Sequence, residues 1–213
     1  MKKEMNRLSS RKLRSIETKH RLLNAGRDIF IKYGFQKATI SQMIKQAQTG
    51  YGTAYVHFKN KDDILIVLME DVMNKFYDIA ELPFEPKTKQ EAYDLIKNQV
   101  RLFLKMARNE QSMMQVIEEA IRVSADVYHK WRSIRERFIQ RIAQDIACSQ
   151  KNGLARTDVD RDLVARGWFF ANEMYLWEIV RNENTSSIED VVHNLTEIYT
   201  SGLYAGSDSE NCV

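Results

Sequence analysis

The chain has 213 residues, of which 44% are hydrophobic, enough to bury a core as one or two domains. Its two cysteines, Cys148 and Cys212, lie far apart in sequence, which gives no disulfide framework and favours a reducing, cytoplasmic location. No run of about 18 apolar residues is present to span a membrane, and the basic N-terminus lacks the apolar core of a signal peptide.

Charge is distributed unevenly along the chain. Residues 1–61 hold 14 Lys and Arg against 3 Asp and Glu, a net charge of +11. The totals of 32 and 29 leave 18 against 26, a net charge of −8, for the remainder. A basic N-terminal third on an acidic remainder indicates that one end faces a polyanion such as DNA, although a basic run can also be merely solvated.

The chain begins with a basic segment, residues 1–14, which we predict to be a flexible arm. Such an arm could follow phosphates or enter the minor groove, and an arm without function is an equally open alternative. A first helix is predicted from Ile16 to Tyr33, and Gly34 would end it in the left-handed conformation. The inward stripe of this helix comprises Leu22, Ala25, Ile29 and Phe30.

Residues 39–61 predict two short helices joined by a tight turn, and then the start of a further helix. Thr39 with Gln42 three residues later is the pattern of a capping box. The turn spans residues 48–50, and a short helix over residues 51–58 follows it. This arrangement is typical of a helix-turn-helix unit, whose second helix enters the major groove of DNA.

The same region resembles the N-terminal domain of the TetR family of transcriptional regulators. The resemblance rests on residues 22–47 and 53–65, and it implies a three-helix DNA-binding domain followed by a larger helical domain for ligand binding and dimerisation. The chain departs from the family pattern at the turn, where residues 48–51 read Gln-Thr-Gly-Tyr in place of the usual Gly-Val-Ser-Lys. The shared residues are Ala25, Phe30, Tyr33, Gly34, Phe35, Thr39, Ile44, Ala47, Thr53, Tyr55, His57, Phe58 and Lys61.

Candidate DNA contacts divide into those that position the protein and those that read bases. Thr39 at a helix start could hold a phosphate, although it could also serve only as a cap. By family position His57 faces the DNA backbone, although it could also serve only in packing. Phosphate contacts are predicted for Thr39, Tyr55, His57 and Lys61. Base contacts are predicted for Ser41, Tyr51, Gly52 and Thr53.

The rest of the chain continues with helical periodicity, and no segment alternates with a period of two, so we predict an all-α protein. The predicted domains are the helix-turn-helix domain at 15–61, a helical effector-binding and dimerisation domain at 62–205, and a polar tail at 206–213. The predicted helices beyond the DNA-binding motif span residues 61–80, 88–107, 112–123, 124–151, 160–181 and 187–204.

The predicted helix at 160–181 is apolar on nearly all sides, so it must bury more than one face. By the family resemblance, it and the helix at 187–204 pair with their symmetry mates as a four-helix bundle, which implies a C2 homodimer. A monomer with a large core is the alternative. The predicted interface residues are Val164, Trp168, Ala171, Tyr175, Val191, Leu195, Ile198 and Tyr199.

Large aromatic and methionine side chains in the helical domain could line a cavity for a small hydrophobic ligand, although plain core packing is the alternative. Asn172 is an amide among aromatic residues and must find a partner if it is buried. From Trp131 onward the chain also resembles the EthR-type repressors of the same family, which have a long apolar tunnel. The predicted ligand contacts are Phe103, Met106, Met113, Trp131, Phe138, Trp168, Asn172 and Tyr175.

Together these features predict a DNA-binding transcriptional regulator that binds a palindromic operator as a homodimer. A repressor released by a small apolar or aromatic effector is the first interpretation; a regulator without an effector, or an activator, is the alternative. The four histidines are dispersed, and no metal-ligand spacing, glycine-rich phosphate loop or nucleophile elbow is present. We therefore predict no enzyme activity, no metal and no cofactor.

Overall fold

The computed structural model describes residues 2–204, with side chains described from Lys12 onward. Over this range the chain forms nine helices and no strand, which confirms the all-α prediction. None of these helices combines the length and the apolarity that crossing a membrane requires. The predicted polar tail and Cys212 lie outside the described residues. The helices are α1 (Lys2–Lys37), α2 (Ile40–Gln46), α3 (Tyr51–His57), α4 (Lys61–Ala80), α5 (Lys89–Asn109), α6 (Gln111–Val123), α7 (Ala125–Lys151), α8 (Arg161–Arg181) and α9 (Ile188–Leu203).

The chain divides into two compact units. The N-terminal unit comprises Met1–Val72 and Ser112–Trp131, and the C-terminal unit comprises Met73–Gln111 and Arg132–Val213. The sequence predicted a single boundary after residue 61. The division differs because the first half of α4, most of α6 and the start of α7 are held to the helix-turn-helix by the contacts described below, which join residues distant in sequence.

Helix α1 is longer than predicted. It begins at Lys2, so the segment predicted as an arm outside the first helix is helical from that residue onward. No glycine or proline occurs before Gly26, so nothing in the sequence interrupts the helix there. At Gly34 the backbone adopts φ of +74°, as predicted for the left-handed end of the helix, and one further turn leads to Lys37.

Helices α2 and α3 pack on α1 in the N-terminal unit. The predicted capping box of α2 is confirmed: Gln42 N donates to Thr39 Oγ1 over 3.3 Å, and Thr39 N donates to Gln42 Oε1 over 2.8 Å. The turn before α3 includes Gln48 at φ of +49°. Gly26 lies against Ile64, because a Cβ on this glycine would be 2.5 Å from Ile64 Cγ2. Fully buried side chains in this core include Leu22, Phe30, Met43, Ile44, Ile64 and Leu65.

The helices of the C-terminal unit begin and end at polar caps. The hydroxyl of Thr88 accepts a hydrogen bond from the first turn of α5, and the carboxylate of Asp160 does the same for α8. Asn182 ends α8 in the left-handed conformation at φ of +57°, and Ser187 caps α9. Helix α5 packs against both α8 and α9, so these three helices form the framework of the candidate cavity.

Candidate DNA-binding face and ligand cavity

Helix α3 buries one face and leaves the other open to solvent. Ala54 and Phe58 at its C-cap are buried in the N-terminal unit, with exposed fractions of 1% and 3%. A Cβ placed on Gly52 would have no atom within 4 Å, so this part of the helix offers a flat approach. The predicted contact residues on the exposed side are Tyr51, Gly52, Thr53 and Tyr55.

Three exposed residues of the helix-turn-helix were missed in the sequence analysis. Val56 on α3 is 80% exposed, and an apolar side chain on a reading helix can contact a thymine methyl group. Lys45 of α2 and Lys59 after α3 are exposed and could pair with phosphates. Helical spacing could have indicated Lys45, because it lies one turn after Ser41, which is also exposed.

Thr39 and His57 show features of both roles that the sequence left open. The hydroxyl of Thr39 donates to Gln42 Oε1 over 3.1 Å in addition to accepting the capping bond, so its hydrogen is used within the protein. His57 is half-buried, with its ring centroid 6.4 Å from that of Phe58. The structure therefore realises the capping role of Thr39, while part of the His57 ring stays open to solvent.

Lys61, predicted as a phosphate contact, is directed into the protein. Its Nζ donates to the backbone oxygens of Phe35, Gln36 and Ala38 over 2.6, 3.2 and 3.1 Å. The ammonium also lies 4.4 Å from the centroid of the Phe35 ring. Because an ammonium has three N–H donors, these bonds use all of them. Lys61 thus holds the turn between α1 and α2, which is the turn that positions α2.

Glu119 of α6 holds the same turn from its other side. Its carboxylate accepts hydrogen bonds from the backbone N–H groups of Phe35 and Gln36 over 2.8 and 3.1 Å. A Cβ on Gly34 would lie 2.8 Å from Glu119 Oε2, so this position needs glycine for space as well as for its positive φ. Sequence reasoning had no signal for this contact, because 84 residues separate the two partners.

Ser124 makes a second link within the N-terminal unit. Its hydroxyl donates to the carboxylate of Asp62 in the first turn of α4, and it accepts the N–H of Val127 at the start of α7. Together with Glu119, this residue explains why α6 and the start of α7 belong with the helix-turn-helix. Any signal that moves these segments would therefore act directly on the turn that supports α2 and α3.

The C-terminal unit contains a cavity with about 80 Å³ open to the centre of a water-sized sphere, which is room for several water molecules. Phe138 is at its centre of aromatic contacts, with ring centroids 5.9 Å from Phe169 and 6.1 Å from Phe103. Four of the predicted ligand contacts line this cavity: Phe103, Phe138, Trp168 and Asn172. Its other lining residues are Ile79, Ala80, Gln99, Val100, Arg141, Ile142, Asp145 and Phe169.

The other four predicted ligand contacts do not line this cavity. Met113 and Trp131 belong to the N-terminal unit and are buried there, with exposed fractions of 2% and 3%. Met106 and Tyr175 are half-buried elsewhere in the C-terminal unit. The residue types suited an apolar cavity, but helical periodicity does not say which inward faces leave space between them.

Two charged residues of α7 reach the cavity, and the sequence analysis missed both. Arg141 pairs with Asp145 one turn later, over 2.7 Å between Nη1 and Oδ1. Burial raises the pKa of Asp145 to about 7, and the neighbouring Arg141 guanidinium opposes this increase. Arg141 also donates from Nε to Ala80 O over 3.1 Å and from Nη2 to Leu82 O over 3.4 Å.

Asn172 is the predicted amide, and the structure buries it with one atom unpaired. Its exposed fraction is 7%, and its Nδ2 donates to Trp168 O over 2.8 Å. Its Oδ1 is buried without a hydrogen-bond partner. Buried polar atoms in native proteins nearly always have a partner, so this oxygen marks a place where a polar group of a ligand or a water molecule can bind.

An exposed apolar face runs along α8 and α9. Leu163, Phe170 and Met174 of α8 are 72%, 41% and 50% exposed, and Ile198 of α9 is 74% exposed. Of the predicted dimer contacts, Ile198 is on this face and Val191 is buried within its own unit. The half-buried ones are Val164, Trp168, Ala171, Tyr175, Leu195 and Tyr199. The sequence analysis missed the three exposed residues of α8, because a helix apolar all round does not show which side is covered.

Two family models match this chain. The model of bacterial regulatory proteins of the tetR family matches residues 22–68. The model of the C-terminal domain of the transcriptional regulator EthR matches residues 96–205, which is more than half of the chain. The first match covers the helix-turn-helix, and the second covers α5 through α9.

Individual relatives agree with these models. A fatty acid metabolism regulator protein of Bacillus subtilis (strain 168) is 33% identical over 66 residues, which are 31% of this chain and 34% of that protein. The chain spans between 22% and 60% of the length of the curated relatives that it matches in sequence. A TetR-family structure from Syntrophomonas wolfei covers 92% of this chain and 98% of its own, with a TM-score of 0.72 and 20% identity. The complex of SmeT with triclosan covers 89% and 93%, with a TM-score of 0.69 and 14% identity.

Proposed function

Because this chain belongs to the TetR family of transcriptional regulators, we propose that it represses transcription by binding a palindromic operator as a homodimer and that a small apolar or aromatic effector releases it. Family membership makes it a DNA-binding transcriptional regulator and not an enzyme, as the sequence predicted. The observation that carries the proposal is that one chain has both an exposed reading helix, α3, and a cavity with an unpaired buried amide oxygen.

In this proposal α3 enters the major groove with its exposed face toward the bases. Tyr51 and Thr53 contact base edges, and Gly52 lets the helix approach closely. Thr53 offers a methyl group and a hydroxyl, and Val56 adds apolar contact on the same helix. Contacts to phosphates come from Tyr55, His57 and the start of α2 at Thr39, together with Lys45 and Lys59. Lys61 acts by positioning the turn, because its donors are used on the backbone.

The exposed apolar face of α8 and α9 supports the homodimer. Four large apolar side chains there, from Leu163 to Ile198, are between 41% and 74% exposed in one chain. Contact between two copies of this face across a two-fold axis would remove that apolar surface from water. Two reading helices about 34–36 Å apart would then contact successive major grooves on one side of the DNA, which is why the operator is expected to be palindromic.

The effector would act through α4. This helix is 20 residues long, or about 30 Å. Its first residue, Lys61, holds the turn before α2, and its last residues, Ile79 and Ala80, line the cavity. A ligand that displaces Ile79 and Ala80 would shift α4 and change the spacing of the two reading helices. A coupling of about 1–3 kcal/mol would lower operator affinity by roughly 5- to 150-fold. The triclosan complex supports this reading only in that a protein of the same fold holds a small molecule.

In vitro selection tests the DNA-binding part of the proposal. Purified full-length protein is incubated with random duplex DNA, and the bound fraction is sequenced over several rounds. We expect an inverted repeat with half-sites about one helical turn apart or a multiple of it. Thr53→Ala should change the preferred bases in both half-sites equally. Enrichment of a single direct site, or no enrichment at all, would contradict the proposal.

The ligand part is tested on the selected duplex by fluorescence anisotropy. Small apolar and aromatic compounds are added to the preformed complex, and bound DNA is measured at fixed salt. An effector should lower operator affinity for the wild type. If no compound that binds the free protein changes operator affinity, a regulator without a small-molecule effector becomes the better account.

A further inference from the structure

We propose that the cavity selects effectors whose polar end is a hydrogen-bond donor, a hydroxyl or N–H on an apolar body, and that it rejects effectors that end in a carboxylate. This inference rests on the proposed ligand-binding function of the cavity and names the chemical class of the ligand. It follows from the hydrogen-bonding capacity of the four polar side chains that line the cavity: Gln99, Arg141, Asp145 and Asn172.

Asn172 presents an acceptor to the cavity. Its side-chain amide lies 2.8 Å from the carbonyl oxygen of Trp168, one turn earlier in α8. A carbonyl oxygen can only accept, so the amide nitrogen must face it and the amide oxygen must point elsewhere. That oxygen is buried and has no partner. A ligand with an O–H or N–H would supply the missing bond, whereas the amide nitrogen already has a partner.

The cationic residue of the cavity is not available to an anionic ligand. All three nitrogens of the Arg141 guanidinium are engaged within the protein, with Asp145 Oδ1, Ala80 O and Leu82 O. Its charge is balanced by Asp145, which lies against it at 2.7 Å. A carboxylate brought into the same cavity would therefore meet a second carboxylate and an amide oxygen, with no free cation to compensate.

The remaining polar group does not reverse this preference. Gln99 is half-buried, and its amide can either donate or accept by turning about its last torsion. The rest of the lining is apolar, and the aromatic rings of Phe103, Phe138 and Trp168 suit an alkyl or aromatic body. The cavity is smaller than the roughly 150 Å³ that a buried benzene ring fills in an apolar core, so a ring-sized ligand must displace lining atoms, and these include Ile79 and Ala80 of α4.

A matched series of probes tests the inference on the full-length protein. 4-Butylphenol, its methyl ether 4-butylanisole, 4-butylbenzoate and butylbenzene share one apolar body and differ at the polar end. Their dissociation constants are measured by isothermal titration calorimetry at pH 7.5, and operator binding is measured in the same samples. We expect the phenol to bind about tenfold more tightly than the ether and the benzoate, because only the phenol donates to a buried unpaired acceptor.

Two variants assign the preference to Asn172. Asn172→Leu should keep butylbenzene binding and remove the advantage of the phenol over the ether. Asn194→Leu is the matched control, because Asn194 makes the same kind of bond to a carbonyl one turn earlier, over 2.9 Å to Asp190 O, but is exposed on α9 and away from the cavity. The control should keep the preference.

Three outcomes would overturn the inference. If the benzoate binds as tightly as the phenol, or if the preference for the phenol persists in Asn172→Leu, the acceptor reading of the cavity is wrong while ligand control of DNA binding can stand. If none of the four probes binds at millimolar concentration, the inference and the ligand part of the proposed function fail together. Operator binding in the same samples would show whether DNA recognition survives either failure.

Discussion

Replacing Lys61 by methionine separates two accounts of this residue. If Lys61 contacts a DNA phosphate, as its position in the motif predicts, its loss removes one counterion-releasing contact. If it holds the turn between α1 and α2, as its three bonds to the backbone oxygens of Phe35, Gln36 and Ala38 indicate, its loss loosens that turn. Methionine keeps most of the length of the side chain and removes only the charge and the donors.

The structure gives the size of the expected effect. A hydrogen bond to a charged group contributes about 1.5–3 kcal/mol, so three would give an upper limit of about 5–9 kcal/mol. Lys61 is half-buried, and water can partly replace the ammonium at the freed oxygens. We therefore expect a loss of about 2–3 kcal/mol in the stability of the N-terminal unit, read as a lower midpoint of thermal unfolding, together with weaker operator binding.

The salt dependence of operator binding decides between the accounts. A lost phosphate contact would reduce the slope of log K against log salt by about 0.9, whereas a positioning residue would lower the affinity at every salt concentration and leave the slope unchanged. Lys45→Met on the exposed face of α2 is the control, with a reduced slope and unchanged stability expected. A Lys61→Met protein of wild-type stability with a reduced slope would refute our reading.

Three further predictions concern packing, assembly and pH. Gly26→Ala should destabilise the protein by about 1–2 kcal/mol, because its Cβ would lie 2.5 Å from Ile64 Cγ2 and overpacking outweighs the ~1 kcal/mol gained in helix propensity; Gly167→Ala in α8, with nothing within 4 Å of its Cβ, should not be destabilising in the same unfolding assay. Met174→Glu, on the exposed apolar face, should shift the sedimentation coefficient from dimer to monomer with unchanged circular dichroism, and an unshifted coefficient would argue against this face. Since burial raises the pKa of Asp145 to about 7, the folded state keeps a proton that the unfolded state releases near pH 4, so stability relative to Asp145→Asn should fall between pH 4 and 7 by up to about 4 kcal/mol; a flat difference would contradict the burial of this carboxyl group.

Local patterns in the sequence predicted the local structure well. The capping box of Thr39 and Gln42, the left-handed Gly34 and the bounds of α3 each depend on residues within a few positions of one another, and the structure confirms them. Helix α4 also begins and ends where the periodicity of the sequence placed it. The start of α1 was wrong, since a basic composition does not itself prevent a helix.

Contacts between residues distant in sequence could not be predicted. The bonds of Lys61 to residues near Phe35, and those of Glu119 to the same turn, depend on how helices pack and leave no periodic signal. The cavity shows the same limit, because Phe138 and Met113 have similar residue types but only Phe138 lines it. Asn172 was identifiable because an amide among aromatic residues is unusual, and its unpaired oxygen required the structure.

Native mass spectrometry of the protein bound to its selected duplex tests the central claim most directly. Each chain has a mass of 25.0 kDa, so the number of chains on one duplex can be counted. We predict two chains, or a multiple of two, on a duplex with both half-sites, and loss of the complex when one half-site is scrambled. A complex with a single chain, or one that is indifferent to the second half-site, would contradict the reading of this protein as a dimeric regulator of a palindromic operator.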